Sequence, residues 1–489
     1  MTVTQKLSEF AEGIQYADLP AAAIREAKRL LLDTIGCAIG GIETTKGRLA
    51  LQMARALGGP PEASILGFQE KVSVSASAYA TGELMNALDY DALLSPPEHA
   101  TPYVLAAPLA VAEMRRISGK DLILSTAIAH EMAIRIAASF VFGKRFNIEL
   151  PERGIAMSIP TPGYGLCIFS GTAAAARLLG LKAKEIAHAI GIAGYHAPVP
   201  MLMKFCMVVP AGIFKYLSSG ILSQQEVMAA QSAAMGCTGD PDVLDEPYGF
   251  WRAFGCESWR QEIITEGLGR TWYYPERIFY KTYPCCGAMQ NGLALFEKIV
   301  LENGLGTGEI SEVHVRMNML AELPVWRAQR VENHIDAQFN VPFVFSLVAH
   351  RIEAGPSWQT EDTIRDQCHV EFMKKVRVWT ELDAGSRERP EIEVVVGSGK
   401  GRKVFSRTGA MAYEMSDDSL LAKFIRNTQR FLGEERARRA SELLQRVENL
   451  DDVGLLFEQL SAHGAKSRAH SEKGITHRAR AKRLMLTSR

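Results

Sequence analysis

Apolar positions recur at helical spacing, segment after segment, through the first 265 residues. In "AAIREAKRLLLDTIGCAIGG" Ile24, Ala27, Leu31 and Ile35 fall three or four residues apart, and Gly40 and Gly41 supply a stop. "SGKDLILSTAIAHEMAIRIAASF" and "GTAAAARLLGLKAKEIAHAIGIAG" predict two more helices, the second so alanine-rich that its neighbours must approach closely. A further helix is predicted from Ile213 to Met235. Near residue 270 the period changes to two. "SEVHVRMNM" alternates Val313, Val315 and Met317; "KKVRVWTEL" and "PEIEVVVGSGKGRKVFSRT" continue it, the last as a hairpin turning at "GSGKG". Helical segments at 286–303 and 335–350 lie between these strands. From "SDDSLLAKF" to Leu460 the period returns to 3.6, with Ser416 or Asp417 as the N-cap.

This pattern predicts a mostly α protein. A large helical bundle domain takes residues 1–265 and 411–460 from both parts of the chain, and a smaller α+β lid domain (266–410) is inserted between them. The basic stretch 461–489 has almost no apolar positions and reads as a mobile tail.

Composition changes this picture little. Of 489 residues 47% are hydrophobic and 22% charged, with 55 basic against 55 acidic, so no global field exists to steer nucleic acid or membrane binding. The N-terminal segment carries acids early and lacks the apolar core of a signal peptide, and the longest apolar runs fall short of the about 20 residues of a membrane span. Eight cysteines without a C-x-x-C pair point to a reduced, cytoplasmic chain.

Several familiar signatures fail. "AHEMAIR" has Ile134 where a zinc helix needs its second histidine, and the eleven histidines show no metal-ligand spacing. "GYGLCIFSG" and "GSGKG" lack the spacing or context of nucleotide-binding loops, and no G-x-S-x-G elbow occurs. Three segments remain. In "NALDYDALLSPPEHATP", Asp89, Asp91, Glu98 and His99 interrupt two apolar helices, either as a solvated loop with capping aspartates or as a polar loop trapped at an active site. Lys215 opens the apolar run "GIFKYLSSGIL", as a snorkelling lysine or as a charge aimed at an anionic substrate. Lys281 precedes Tyr283 and the vicinal Cys285 and Cys286 in "YKTYPCCG", where two packed thiols are the default.

Taken in order, "AKRLLLDTIGCAIGG", "NALDYD…H", "GTAAAARLLGL", "K…SSG", "GCTGD", "YKTYPCCG" and "DAQFNVPF" resemble the 2-methylcitrate dehydratase / cis-aconitate decarboxylase (MmgE/PrpD) family, from about residue 5 to 460. The resemblance implies a homodimer that acts on small di- or tricarboxylates without metal or organic cofactor. Carried over, Asp89 and His99 belong to the family's active-site loop, Lys215 to its K-x-x-H-x-G segment with Ser218 in place of the histidine, and Lys281 to its K-x-Y-P-C-C motif. Asp91, Thr161 and Tyr283 are expected to bind substrate. The family's D-Y-D-D-T reads "DYDAL" here, so Ala92 and Leu93 replace polar residues, "HAT" stands for the typical H-P-S, and a second catalytic histidine falls on Thr161.

The resemblance thus implies a lyase or isomerase in which His99 exchanges protons, Asp89 orients it, and Lys215 and Lys281 clamp carboxylates. An epimerase of an iminodisuccinate-like substrate is the alternative, because Thr161 offers no second acid. A degenerate dicarboxylate-binding dimer is the non-enzymatic one.

Overall fold

The computed structural model describes residues 1–141, 146–150, 155–159, 163–199, 204–205, 207–380, 390–409 and 414–462. It is mostly helical, with a small α+β portion. The helices of the first half include α1 (Ala21–Gly41), α2 (Val74–Met85), α3 (Ala106–Arg115), α4 (Gly119–Ser139), α5 (Cys167–Leu178), α6 (Ala183–Gly194) and α7 (Ser219–Ala234). The alanine-rich segment expected as one helix is two, α5 and α6, broken where Gly180 takes φ 87°. Nor does α7 begin at Ile213. Residues 213–217 form a turn, and Ser218 caps the helix by accepting from the Ile221 N–H at 3.0 Å. The stretch expected to be all helix also holds an antiparallel hairpin of β1 (Phe146–Leu150) and β2 (Ile155–Ile159).

Helix α4 has the length and apolarity of a membrane span, although charged residues interrupt its apolar run in sequence. It is a core helix: 94% of its apolar window is buried inside the fold. Its buried Glu131–Arg135 pair, at 2.6 Å, sends the guanidinium on to the carbonyls of Ile263, Ile264, Glu266 and Thr271. His130, the would-be zinc ligand, contacts the Thr126 carbonyl and the Thr101 hydroxyl instead; burial pushes its imidazole down to about 4.

In the second half come α8 (Gln290–Glu302), β3 (Ile310–Arg316), α9 (His334–Phe339), α10 (Val341–Ala349), β4 (Val376–Trp379), β5 (Glu391–Val396) and β6 (Lys403–Thr408). The sheet order is β4-β3-β5-β6, with β4 parallel to β3 and the other pairs antiparallel. The segment expected as one helix at 335–350 breaks at Asn340, whose side chain caps α10 through the Phe343 N–H. The chain then returns with α11 (Asp417–Leu432), capped by Ser416, and α12 (Glu434–Gln445). α11 lies along α1, so close that a Cβ at Gly36 would sit 2.9 Å from the Phe424 ring.

One close approach sets the position of the loop after α2. Gly82 near the end of α2 faces Gly220 at the start of α7; a Cβ at Gly82 would lie 2.9 Å from the Ser219 carbonyl, and one at Gly220 would lie 2.3 Å from that of Tyr79. Two helices touching at these ends bring the loop after α2, residues 86–94, against the turn before α7. The buried Glu83 carboxylate seals the junction. It accepts from the Gly220 N–H (2.8 Å) and the Ser218 hydroxyl, and pairs with Lys46 at 3.0 Å.

Candidate active site

Residues 86–94 are buried throughout, so every polar group there needs a partner. Asn86 ends α2. Asp89 follows with φ 54°, a left-handed conformation that costs about 1–2 kcal/mol for a residue with a side chain. That twist delivers its carboxylate to two lysines. Lys215 Nζ lies 2.8 Å from Oδ1, and Lys281 Nζ lies 2.8 Å from Oδ2; Lys215 also donates to the Asn86 carbonyl (2.9 Å) and Lys281 to that of Asp89 (2.7 Å). Lys215 itself takes φ 55°.

The electrostatics follow from burial and pairing. Burial pushes the Asp89 carboxyl up, but Lys215, Lys281 and then His99 outweigh it and hold it far below the usual carboxylate range. Lys215 is pushed down to about 8 by burial, with Asp89 opposing. For Lys281 burial also works downward, yet Asp89 and Asp91 together carry it above its ordinary value. One lysine is firmly charged and the other titrates near neutrality.

His99 does not lean on Asp89 as expected. Its Nδ1 bonds Asp91 Oδ2 at 2.7 Å, while Nε2 is 3.7 Å from Asp89 Oδ1, beyond hydrogen-bond length. The other Asp91 oxygen accepts from Asn86 Nδ2 at 3.2 Å. Asp91, expected to bind substrate, is therefore the carboxylate that orients the histidine, and Asp89 is the anchor of the lysines. Spacing alone could not make that distinction, because it rests on the left-handed turn at Asp89. Glu98 is exposed, and its carboxylate accepts from the Ser95 hydroxyl at 3.0 Å.

The Tyr283 hydroxyl donates to Glu297 (2.7 Å) and its ring stacks on Trp358. Thr161 lies outside the described residues. Ala92 and Leu93 are buried; the Ala92 N–H donates to Asp33, and Leu93 pairs with Phe279 in a short strand. Cys285 is buried and Cys286 half-buried, both free thiols; burial, then Asp89, pushes Cys286 up to about 12.

Several residues escaped the sequence reading. Tyr164 and Tyr216 wall His99, with ring centroids 6.0 and 5.7 Å from the imidazole and 4.7 Å from each other. Behind the loop, Lys423 of α11 pairs with Asp33 of α1 at 2.7 Å and donates to the carbonyls of Tyr90 (2.8 Å) and Lys281 (3.0 Å). Its ammonium also sits 3.8 Å over the Tyr90 ring. From the α+β portion, α9 reaches over the site: Gln338 donates to the Ala87 carbonyl, and Asp336 accepts from the Ala211 N–H. His334 on that helix is buried, and its Nε2 has no hydrogen-bond partner among the described residues; burial, then Lys215, Lys46 and Arg48, pushes it down to about 3. Among the described residues no group of His, Cys, Asp and Glu is placed to hold a metal ion.

Such a site can bind an anion on buried ammoniums and pass protons through an oriented imidazole. Comparison with known proteins places it in context. Residues 5–262 match the MmgE/PrpD N-terminal domain, and residues 283–449 match the MmgE/PrpD C-terminal domain. The chain is 24% identical to a cis-aconitate decarboxylase of Aspergillus terreus, across 94% of this chain and 96% of that protein. It is 20% identical to the cis-aconitate decarboxylase of Mus musculus, across 96% and 95%. The cis-aconitate decarboxylase of Homo sapiens is similar over a shorter span, 24% identical across 58% of this chain and 56% of the relative.

Proposed function

The chain belongs to the MmgE/PrpD family, and on that footing we propose that it is a lyase acting on a small di- or tricarboxylate, with His99 as its proton-transfer group. The family and the relatives support a dehydratase- or decarboxylase-like activity on carboxylates. The observation that carries the finer reading is the buried His99–Asp91 pair, set beside an aspartate that holds two lysines.

Eliminating a group next to a carboxylate leaves an electron pair beside an existing negative charge, which water stabilises poorly. Lys215 and Lys281 keep positive charge at that position in a site with little water. Each donates two of its three N–H groups to the loop, to the Asn86 carbonyl and Asp89 or to Asp89 alone, which leaves one apiece for a substrate oxygen. Asp91 holds His99 by Nδ1, so Nε2 is the nitrogen that exchanges a proton. In decarboxylation the electrons of the breaking carbon–carbon bond move toward the remaining carboxylate, and the imidazolium then delivers its proton to carbon. In dehydration neutral His99 takes the proton from carbon, and the imidazolium so formed gives that proton to the departing hydroxyl, which leaves as water.

An epimerase draws on a different observation. Lys215 Nζ and His99 Nε2 both converge on Asp89 Oδ1, and Lys215 is pushed down to about 8, so two proton carriers flank one point. Incubation of the protein with cis-aconitate, 2-methylcitrate and iminodisuccinate in heavy water, followed by NMR, separates these readings. Net loss of carbon dioxide or water marks the lyase, and deuterium exchange without elimination marks the epimerase. Silence with all three substrates sinks both. His99→Ala is expected to abolish the activity; a variant that keeps most of it removes His99 from the reaction.

A further inference from the structure

We propose that Tyr216 is a further catalytic residue, whose hydroxyl donates a hydrogen bond to the substrate oxygen on which negative charge develops. The assignment rests on reading the site as one that acts on carboxylates. Tyr216 follows Lys215 directly, its ring packs beside His99, and it is 3% exposed. Its hydroxyl is buried and has no hydrogen-bond partner among the described residues. The neighbouring Tyr103 differs in this respect, because its hydroxyl donates to the Leu217 carbonyl at 3.1 Å.

A buried phenol without a partner is destabilising, and such groups are few in folded proteins. Two features say what completes this one. Burial first, and then the nearby charge of Asp89, raises the phenol well above its ordinary value, which favours the protonated hydroxyl and its O–H as a donor. The described surroundings supply no partner. The ring packs against His99, Tyr164 and Phe205, and the hydroxyl finds no acceptor within hydrogen-bond distance among the described residues. A fixed donor with no acceptor, at the wall of a site for anions, matches a carboxylate oxygen of the substrate. No proton is transferred from the phenol; its O–H shortens its contact to that oxygen as the electron pair arrives. This gives the site a third positive-ended group beside the two ammoniums.

Tyr216→Phe keeps the ring and removes only the hydroxyl. The expected result is a melting temperature equal to or above that of the unaltered protein, with kcat lowered about 100-fold and KM changed severalfold at most. A structural role for the hydroxyl would give the reverse, lower stability with kcat retained. The second measurement is the thermal shift given by tricarballylate, a saturated tricarboxylate; the unaltered protein is expected to gain more than the variant. Unchanged kcat in Tyr216→Phe, with the unaltered protein active, overturns the assignment and leaves the proposed reaction standing. No turnover by the unaltered protein, together with a larger tricarballylate shift than in the variant, overturns the reaction and keeps Tyr216 as an anion donor. Neither turnover nor a difference in shift overturns both.

Discussion

Asp89→Asn removes one charge and almost no volume from the point where the two lysines meet. Each ammonium lies 2.8 Å from a different Asp89 oxygen, and all three side chains are fully buried. At an effective dielectric near 20, attraction at that distance is about 6 kcal/mol per contact, most of it offset by the loss of hydration. Asparagine can accept from one lysine through its oxygen, but it then turns its NH2 toward the other. Whichever way the amide faces, one buried ammonium meets a donor. Breaking one side of a buried pair costs about 3–5 kcal/mol, and that is the deficit expected from urea unfolding followed by circular dichroism at about pH 7. The deficit also has a sign with pH. The Asp89 carboxyl is held below its usual range, so its contribution is complete above about pH 4 and does not vary near neutrality. Without Asp89 both lysines bind protons more weakly in the folded state than in the unfolded one, so the variant gains stability as pH rises. The deficit should therefore shrink between about pH 6.5 and about pH 9. A deficit below about 1 kcal/mol, or one that widens with pH, would refute the anchoring role of Asp89.

Asp91→Asn keeps the shape of the loop and removes the charge behind His99, so kcat should fall by about 100-fold or more with KM little changed; steady-state kinetics check this, and an unaltered kcat contradicts the pairing. Because Lys215 is pushed down to about 8 and binds anions only when protonated, kcat/KM should decline as pH rises through about 8, and Lys215→Arg should erase that limb of the profile. Glu226 in α7 is buried, neither oxygen has a hydrogen-bond partner among the described residues, and burial holds its carboxyl well above the usual range. The folded state therefore keeps a proton that the unfolded state releases above about pH 4.3, and stability falls as pH rises. Glu226→Gln should melt higher than the unaltered protein, by a margin that grows between about pH 5 and about pH 8 in a thermal scan; a shrinking margin counts against it.

How much of this was legible in the chain varies with the kind of interaction. Helices with a clean stripe, such as α1 and α4, announced themselves through spacing. The breaks at Gly180, at Asn340 and before Ser218 were hidden because apolar residues continue on both sides of each. In the site, motif order pointed to Asp89, His99, Lys215 and Lys281, and the structure brings these four together. The division of labour between Asp89 and Asp91 was not legible, since it depends on one left-handed residue. Lys423 did leave a signal. It occupies the apolar stripe of α11 with Leu420, Phe424 and Thr428, where a lysine is out of place unless a buried acid waits for it. Asp33, within the apolar run of α1, is that acid. The missing partner of Tyr216 has no counterpart in sequence, because an empty acceptor position leaves no letter.

The pairing of Asp33 with Lys423 also orders events in time. A ribosome extends the chain at roughly 5–20 residues per second, so on the order of tens of seconds pass between the two residues. Throughout that interval α1 and the loop around Asp89 exist without the ammonium that fastens Tyr90 to Lys281. Until then the loop around Asp89 lacks that fastening, and Asp33 in α1 lacks the ammonium that pairs with it. Only once α11 has been made can Lys423 tie Asp33, Tyr90 and Lys281 to one another.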